Sequence, residues 1–269
     1  MRSIKLPVEV DDVALFVTHL YRVGYAYSTI ATHVAALSYV HKSLNWRDPT
    51  VSFVMEGLLR KIKKIIPKEP ELLPIPLDLL HELLHVCQYV YTANYDRVLY
   101  QAILLLTFHA CARIGEIVVS QSNTTNALKK GNITFNIRGT MCIDFVDYKH
   151  GLETTSQALE IKPSSADKFC PVQAVRRFLS LRSGIKCKDD IVFVHCNGQH
   201  VTGQEVNCVL NNLLVACEID SNRYGTHSLR IGRTSKAAAD GWSETQIKRL
   251  GRWKSDAYKK YIRGPINVN

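Results

Sequence analysis

The chain has 269 residues, which suits one large domain or two smaller ones, and two is the working expectation. A hydrophobic content of 46% with 22% charged residues is ordinary globular composition and excludes intrinsic disorder. Lys and Arg total 34 against 24 Asp and Glu, a formal charge of +10, which points to a polyanionic partner: nucleic acid first, an anionic membrane surface second. The eight cysteines lack C-x-x-C spacing and read as reduced core thiols. The first residues, MRSIKLPVEVDDVALF, hold no apolar signal core, and no stretch nears the ~18 apolar residues of a membrane span, so an intracellular protein without a membrane partner is expected.

In chain order, apolar residues at helical spacing predict helices over 11–23, 27–43 and 50–65, for example Val13, Phe16, Val17 and Leu20 in the first. This helical module, 1–66, ends at a proline-rich linker, 67–76, because each proline removes a backbone donor and restricts its predecessor. Helices follow at 77–90 and 95–110. Short strands are expected at 132–137, 141–148 and 157–162, where the residues alternate or are β-branched. Helices resume at 171–183, opened by Pro171, then at 203–216 and 228–240, stopped by Asp240-Gly241. Ser243 and Gln246 form a capping box for the next helix, and a last one covers 254–262. The expected fold class is mainly α (α+β): a helical N-terminal domain, then a helical domain, 77–269, with a small antiparallel sheet.

Thr226-His-Ser-Leu-Arg230 puts His227 and Arg230 on one face of a helix start, beside its positive dipole end. A planar guanidinium and an imidazole there suit a phosphate, although a lone H-x-x-R is usually a surface pair. Ala112-Arg-Ile-Gly-Glu116 follows the apolar run AILLLTFHACA, and the bland reading of Arg113 is a local ion pair with Glu116. Gly251-Arg-Trp253 precedes Tyr258 and Tyr261, and tyrosines on a terminal helix commonly serve packing.

His81-Glu-Leu-Leu-His85 matches the H-E-x-x-H zinc-peptidase pattern. The apolar stripe Leu80, Leu83, Leu84 and Cys87 leaves both histidines on the opposite, solvent-facing side, and no third ligand follows at the usual spacing. Neither a metal nor a cofactor is expected.

The order of the other pieces is more specific than any one of them. An R-x-x-E box after an apolar helix, a hairpin lysine, an H-x-x-R box, a G-x-W element and a tyrosine eight or nine residues later together resemble the tyrosine recombinase (phage integrase) family, over about residues 11–263. HSLR (227–230), GRWKSDAYKKYIR (251–263) and FCPVQAV (169–175) look most like the eukaryotic recombinases of DIRS-type and Crypton mobile elements.

The resemblance implies an integrase that cuts and rejoins double-stranded DNA through a 3′-phosphotyrosine, needing no ATP or metal. Arg113 and Arg230 would hold the scissile phosphate, Glu116 would support them, and His227 would transfer protons. Tyr261 would be the nucleophile, in preference to Tyr258 one turn earlier. Lys149, ending the strand CIDFVDY, matches the family's hairpin general acid, with Lys162 as the alternative. The usual interval of nine residues before the tyrosine falls on Arg252, whereas the matching aromatic is Trp253; Trp253 is preferred and Arg252 stays open. The N-terminal module would be the core-binding half of a DNA clamp, its Arg60, Lys61, Lys63 and Lys64 contacting phosphates. Self-association into a dimer or tetramer on DNA is implied, with nuclear location in a eukaryote. Eight residues follow Tyr261, too few for the extra helix many relatives dock on a neighbour, a departure from the family pattern that puts assembly through that contact in doubt. The rival readings are a catalytically silent, domesticated DNA-binding protein and, far behind, a zinc metallopeptidase through HELLH.

Overall fold

The computed structural model describes residues 6–67, 71–120, 125–149, 152–164 and 169–264, with side chains of 146–157 outside that description. The chain divides into two compact units, Met1–Pro70 and Glu71–Asn269. No described helix is long and apolar enough to cross a membrane.

The first unit packs α1 (Val10–Val23), α2 (Tyr27–Ser43) and α3 (Phe53–Ile65) around Val13, Val17, Leu20, Ile30, Val34, Met55 and Ile62. The expected helix at 50–65 is split: a 3₁₀ turn, Pro49–Val51, precedes α3 because Ser52 interrupts the run and caps α3, its Oγ accepting from the Met55 amide at 3.3 Å. Arg60, Lys61, Lys63 and Lys64 all lie exposed around the buried Ile62.

In the second unit α4 (Leu77–Val90) and α5 (Asn94–His109) precede a four-residue α6 (Ile114–Ile117). Almost every residue of α5 from Val98 to Phe108 is buried, the signature of a central helix, and α4, α7 (Pro171–Arg182) and α9 (Thr226–Ala239) pack around it. A three-stranded antiparallel sheet, β1 (Ile133–Phe135), β2 (Met141–Lys149) and β3 (Leu152–Ile161), pairs Ile133 with Ile143 and Met141 with Ile161. β3 begins five residues earlier than 157, because the hairpin with β2 continues beyond the part with alternating pattern. α8 (Gly203–Ala216) and α10 (Glu244–Gly251) complete the helices, α10 opening on the expected Ser243/Gln246 capping box.

Four further expectations need correction. The last segment is a 3₁₀ turn, Asp256–Tyr261, since its six residues are started by the Ser255 side chain and end within two turns. The second half of the proline-rich stretch belongs to the second unit: the Leu73 amide donates to the Arg223 carbonyl at 2.8 Å, that of Ile75 to Ser228 at 3.0 Å, and Ile75 is fully buried. Of the eight free cysteines only Cys87, Cys111 and Cys170 are buried, while Cys196 and Cys208 are exposed on a turn and on the outer face of α8. Of the two α4 histidines only His85 is exposed, its Nδ1 2.7 Å from Gln88 Nε2; His81 is half-buried against the Phe169 ring.

Gly232 shows how tightly α9 is seated, for a Cβ there would run into the backbone of Ile75. Gly232→Ala is therefore expected to cost about 1–3 kcal/mol. Urea denaturation checks this; a midpoint within error of wild type would show that the Ile75 segment yields freely.

Candidate active site

Arg230 lies in the second turn of α9 with no exposed surface. Its Nη1 donates to the Cys111 carbonyl and its Nη2 to the Gly251 carbonyl at 2.6 Å. Both carbonyls sit where a helix has just ended, at α5 and α10, where unpaired C=O groups carry the negative end of the dipole. Cys111 is left-handed, φ 47°, which turns the chain sharply as α5 ends. Arg230 Nε is buried with no hydrogen-bond partner. Burial, then the nearby Arg113 and Arg252 cations, pull the guanidinium below its ordinary pKa. An arginine nonetheless remains charged in a protein, so the buried cation keeps a donor and a field to offer an anion.

Aromatic rings close around it. The guanidinium carbon stands 4.3 Å from the Trp253 ring centre and 5.6 Å from that of Tyr261. Tyr261 in turn lies 5.0 Å from the rings of both His227 and Trp253. Trp253 fits because Gly251 has no Cβ; one would collide with the indole. His227 is half-buried, and burial together with Arg230 and Arg113 depresses its pKa below 6.5, so the imidazole is neutral at pH 7 and can accept a proton.

Arg113 caps α6 and is the most exposed of the group. Its Nη1 donates to Glu116 Oε1 at 2.8 Å and its amide to Oε2 at the same distance, so the local pair exists. Glu116 does more than that, since its Oε2 also takes a 2.6 Å bond from Arg252 Nη2. Arg252, left-handed at φ 57°, sits at the end of α10 and stacks 4.0 Å from the Phe145 ring centre. Trp253 faces Tyr261, while Arg252 turns away to Glu116. Tyr258 is buried, 6.3 Å ring to ring from Trp253, as a packing residue. Ser235 of α9 clips the tyrosine segment, its Oγ donating to the Tyr261 carbonyl at 3.0 Å and accepting from the Arg263 amide at 2.9 Å. Nothing in the sequence singles out Ser235.

The structure thus brings together Arg113, Glu116, His227, Arg230, Trp253 and Tyr261, from α6, α9 and the segment after α10. Lys149 pairs with Leu152 at the end of the hairpin, and its side chain lies outside the described residues. Lys162 is exposed just beyond β3, on a groove of about 1200 Å³ that Arg252 and Trp253 also line. Of the HELLH histidines, His85 meets Gln88 and Tyr89, and His81 meets Phe169.

With this geometry, solved structures supply the comparison. The Tn1549 transposon integrase in complex with circular intermediate DNA matches 99% of this chain and 84% of its own, at 15% identity and a TM-score of 0.67. XerH site-specific recombinase bound to its difH substrate matches 94% and 67%, at 15% identity and a TM-score of 0.67. A lambda integrase dimer bound to a core site matches 98% and 68%, at 11% identity and a TM-score of 0.55. The fold is that of the tyrosine recombinases. No protein-family model matches the sequence, and no curated protein matches it. Kinship with the DIRS and Crypton branch therefore rests on the sequence resemblance alone.

Burial raises the Glu116 pKa, but Arg252, the Arg113 amide and the Arg113 charge outweigh it and hold the carboxyl below the 4.5 of a free glutamate. A depressed folded pKa contributes stability that is complete above the unfolded value and lost as pH falls through the folded one. Glu116→Gln is therefore expected to be less stable than wild type at pH 7, and the two should converge as pH falls below about 4.5. Denaturation midpoints from pH 3 to 7 test this; parallel curves would mean that the carboxylate charge contributes nothing.

Proposed function

We propose that the chain is a DNA strand-transferring tyrosine recombinase. The observation carrying this reading is the enclosure of the Tyr261 ring by His227, Trp253 and the fully buried, incompletely paired guanidinium of Arg230. A tyrosine among cations is placed for attack on a bound phosphate, and three guanidinium groups against the single carboxylate of Glu116 leave a site that favours an anion.

In the reaction proposed, Arg230 and Arg113 bind the non-bridging oxygens of a scissile phosphodiester, with the Trp253 indole nitrogen as a further donor. The Tyr261 oxygen attacks phosphorus and yields its proton to neutral His227, the P–O5′ bond breaks, and the 5′-oxygen leaves as a hydroxyl after protonation by Lys149, with Lys162 the alternative donor. A 3′-phosphotyrosine conserves the phosphodiester energy, so a 5′-hydroxyl from another strand reverses the step without ATP. Glu116 is a positioning residue that fixes Arg113 and Arg252. The basic end of α3 supplies phosphate contacts that set affinity more than sequence choice. Exchange of strands between two sites calls for a dimer or tetramer on DNA, and the chain is proposed to derive from a mobile element and, in a eukaryote, to act in the nucleus.

Incubation with nicked suicide DNA substrates tests the chemistry. A denaturation-resistant protein–DNA adduct should form, be lost in Tyr261→Phe, and persist in Tyr258→Phe. Arg230→Lys should lower its rate by about 10²-fold or more, the scale of losing one preorganised donor. An equal adduct from Tyr261→Phe would refute the mechanism. DNA binding with no adduct on any substrate would make this a silent binding protein instead.

The α3 cluster has its own signature. Replacing Arg60, Lys61, Lys63 and Lys64 by Ala should weaken duplex binding and flatten the log–log salt dependence by about 0.9 for each phosphate no longer neutralised. An unchanged slope in binding isotherms between 50 and 200 mM salt would remove this cluster from the interface.

A further inference from the structure

Away from this site, the connection between α7 and α8 carries chemistry the recombinase reading does not use. Cys187, Asp189 and His200 converge there, all their ligand atoms lying within 4.8 Å of one another, the one such cluster among the described residues. Cys187 Sγ is 3.5 Å from Asp189 Oδ1 and 4.0 Å from His200 Nε2. His200 Nε2 is 3.1 Å from Asp189 Oδ1 and 2.9 Å from Oδ2.

The convergence is built into the backbone. Val194 and His200 pair across a tight hairpin whose turn contains Gly198, left-handed at φ 83°. The carbonyl of Lys186 crosses over Gly198 where any Cβ would stand, bringing Cys187 against the hairpin, and Cys187 Sγ lies 3.5 Å from the Gly198 carbonyl. A glycine is required there, and the close crossing sets the thiol beside His200. Cys187 is half-buried and packs on a small apolar cluster of Val119, Ala127, Ile191 and Val194. The imidazole and carboxylate retain 30% and 40% of their exposure, so an ion could enter from solvent.

We propose that Cys187, Asp189 and His200 bind a zinc ion that staples the α7–α8 connection. Thiolate, imidazole and carboxylate are zinc's usual donors, and a tetrahedral site with ordinary bond lengths separates such ligand atoms by about 3.4–3.6 Å. Each observed separation lies within about 0.5 Å of that range. Three protein ligands leave one tetrahedral position for water. On binding, the Cys187 thiol gives up its proton to solvent and His200 coordinates through Nε2 as the neutral imidazole, so one proton is released per ion when the histidine begins neutral.

The staple has structural reach. The same connection pairs backbone to backbone with the segment leaving α6, where the Gly203 amide donates to the Val119 carbonyl at 3.0 Å and the Val119 amide to Val201 at 3.2 Å. It also joins the approach to β1, where the Val192 amide donates to Leu128 at 2.9 Å. Zinc is therefore expected to raise the unfolding temperature of the whole second unit and to slow amide exchange over residues 186–200.

Titration of the full chain with zinc chloride, and with cobalt chloride as a spectroscopic probe, decides the matter. One zinc per chain should bind, cobalt should give a thiolate-to-metal charge-transfer band, and Cys187→Ser and His200→Gln should each weaken zinc by more than about 10-fold, the least that loss of even supporting partners costs. His85→Ala and Cys196→Ser should bind as wild type. The proposal fails if the wild-type cobalt complex lacks the thiolate band, which holds whatever the variants do. It fails equally if Cys187→Ser binds zinc unchanged, if His85→Ala rather than His200→Gln loses it, or if His200→Gln destabilises the chain by the same amount with and without zinc, the mark of a simple Asp–His bond.

Discussion

A guanidinium with no access to solvent constrains everything around it. Arg230 cannot shed its charge, and taking it out of water costs several kcal/mol unless its surroundings answer. Two carbonyls do so in part, through charge-assisted bonds worth about 1.5–3 kcal/mol each, and the face of Trp253 adds about 2 kcal/mol or more in a desolvated contact. For the carbonyls to reach it, the chain leaving α5 must turn at a left-handed Cys111 and α10 must end at Gly251. For the indole to lie on it, residue 251 must lack a Cβ. One buried charge thus accounts for the ends of two helices and for the glycine before the tryptophan.

A second constraint follows from Arg252. In an extended or helical chain, successive side chains leave in different directions, but the left-handed turn at Arg252 makes the divergence functional. Its own guanidinium returns to Glu116 and the Ala110 carbonyl, binding α10 to the start of α6, and the next residue swings into the aromatic group. Glu116 then serves two arginines at once. Its bond to exposed Arg113 is worth under about 1 kcal/mol in solvent, whereas Arg252 is largely buried, so the Arg252 side of the pair holds the geometry. The carboxylate keeps Arg113 oriented without cancelling the excess of positive charge.

Much of the architecture was legible because it follows from period and punctuation. The helices α1, α2, α4, α7 and α8 carry clear apolar spacing, and Pro171 and Ser243 mark the starts of α7 and α10. The ordered boxes around Arg113, His227 and Trp253 lie far apart in the chain, and the structure places them side by side. What could not be read were contacts made by unusual backbone. Left-handed Cys111 and Arg252 are not glycines and give no signal, so the 252/253 register could not be resolved from intervals. Ser235 looks like any helical serine until Tyr261 folds back on it. The Cys187, Asp189 and His200 cluster has no motif spacing, because a hairpin crossing rather than a helix face unites it.

The distribution of rigidity in the site bears on how it would work. Arg230 and His227 belong to α9, which is seated on the central helix and on the Ile75 segment. Tyr261 instead ends a six-residue 3₁₀ turn in which most neighbours are exposed, tied down by buried Tyr258 and by the Ser235 clip. Such short, solvent-exposed elements open at low free-energy cost while core helices open only with global unfolding. In the proposed reaction the groups that would bind the phosphate are therefore fixed in advance, as preorganised electrostatic stabilisation requires. In that reaction Tyr261 is thus held by fewer interactions than the groups that would bind the phosphate, chiefly its ring contacts with His227 and Trp253 and the Ser235 clip.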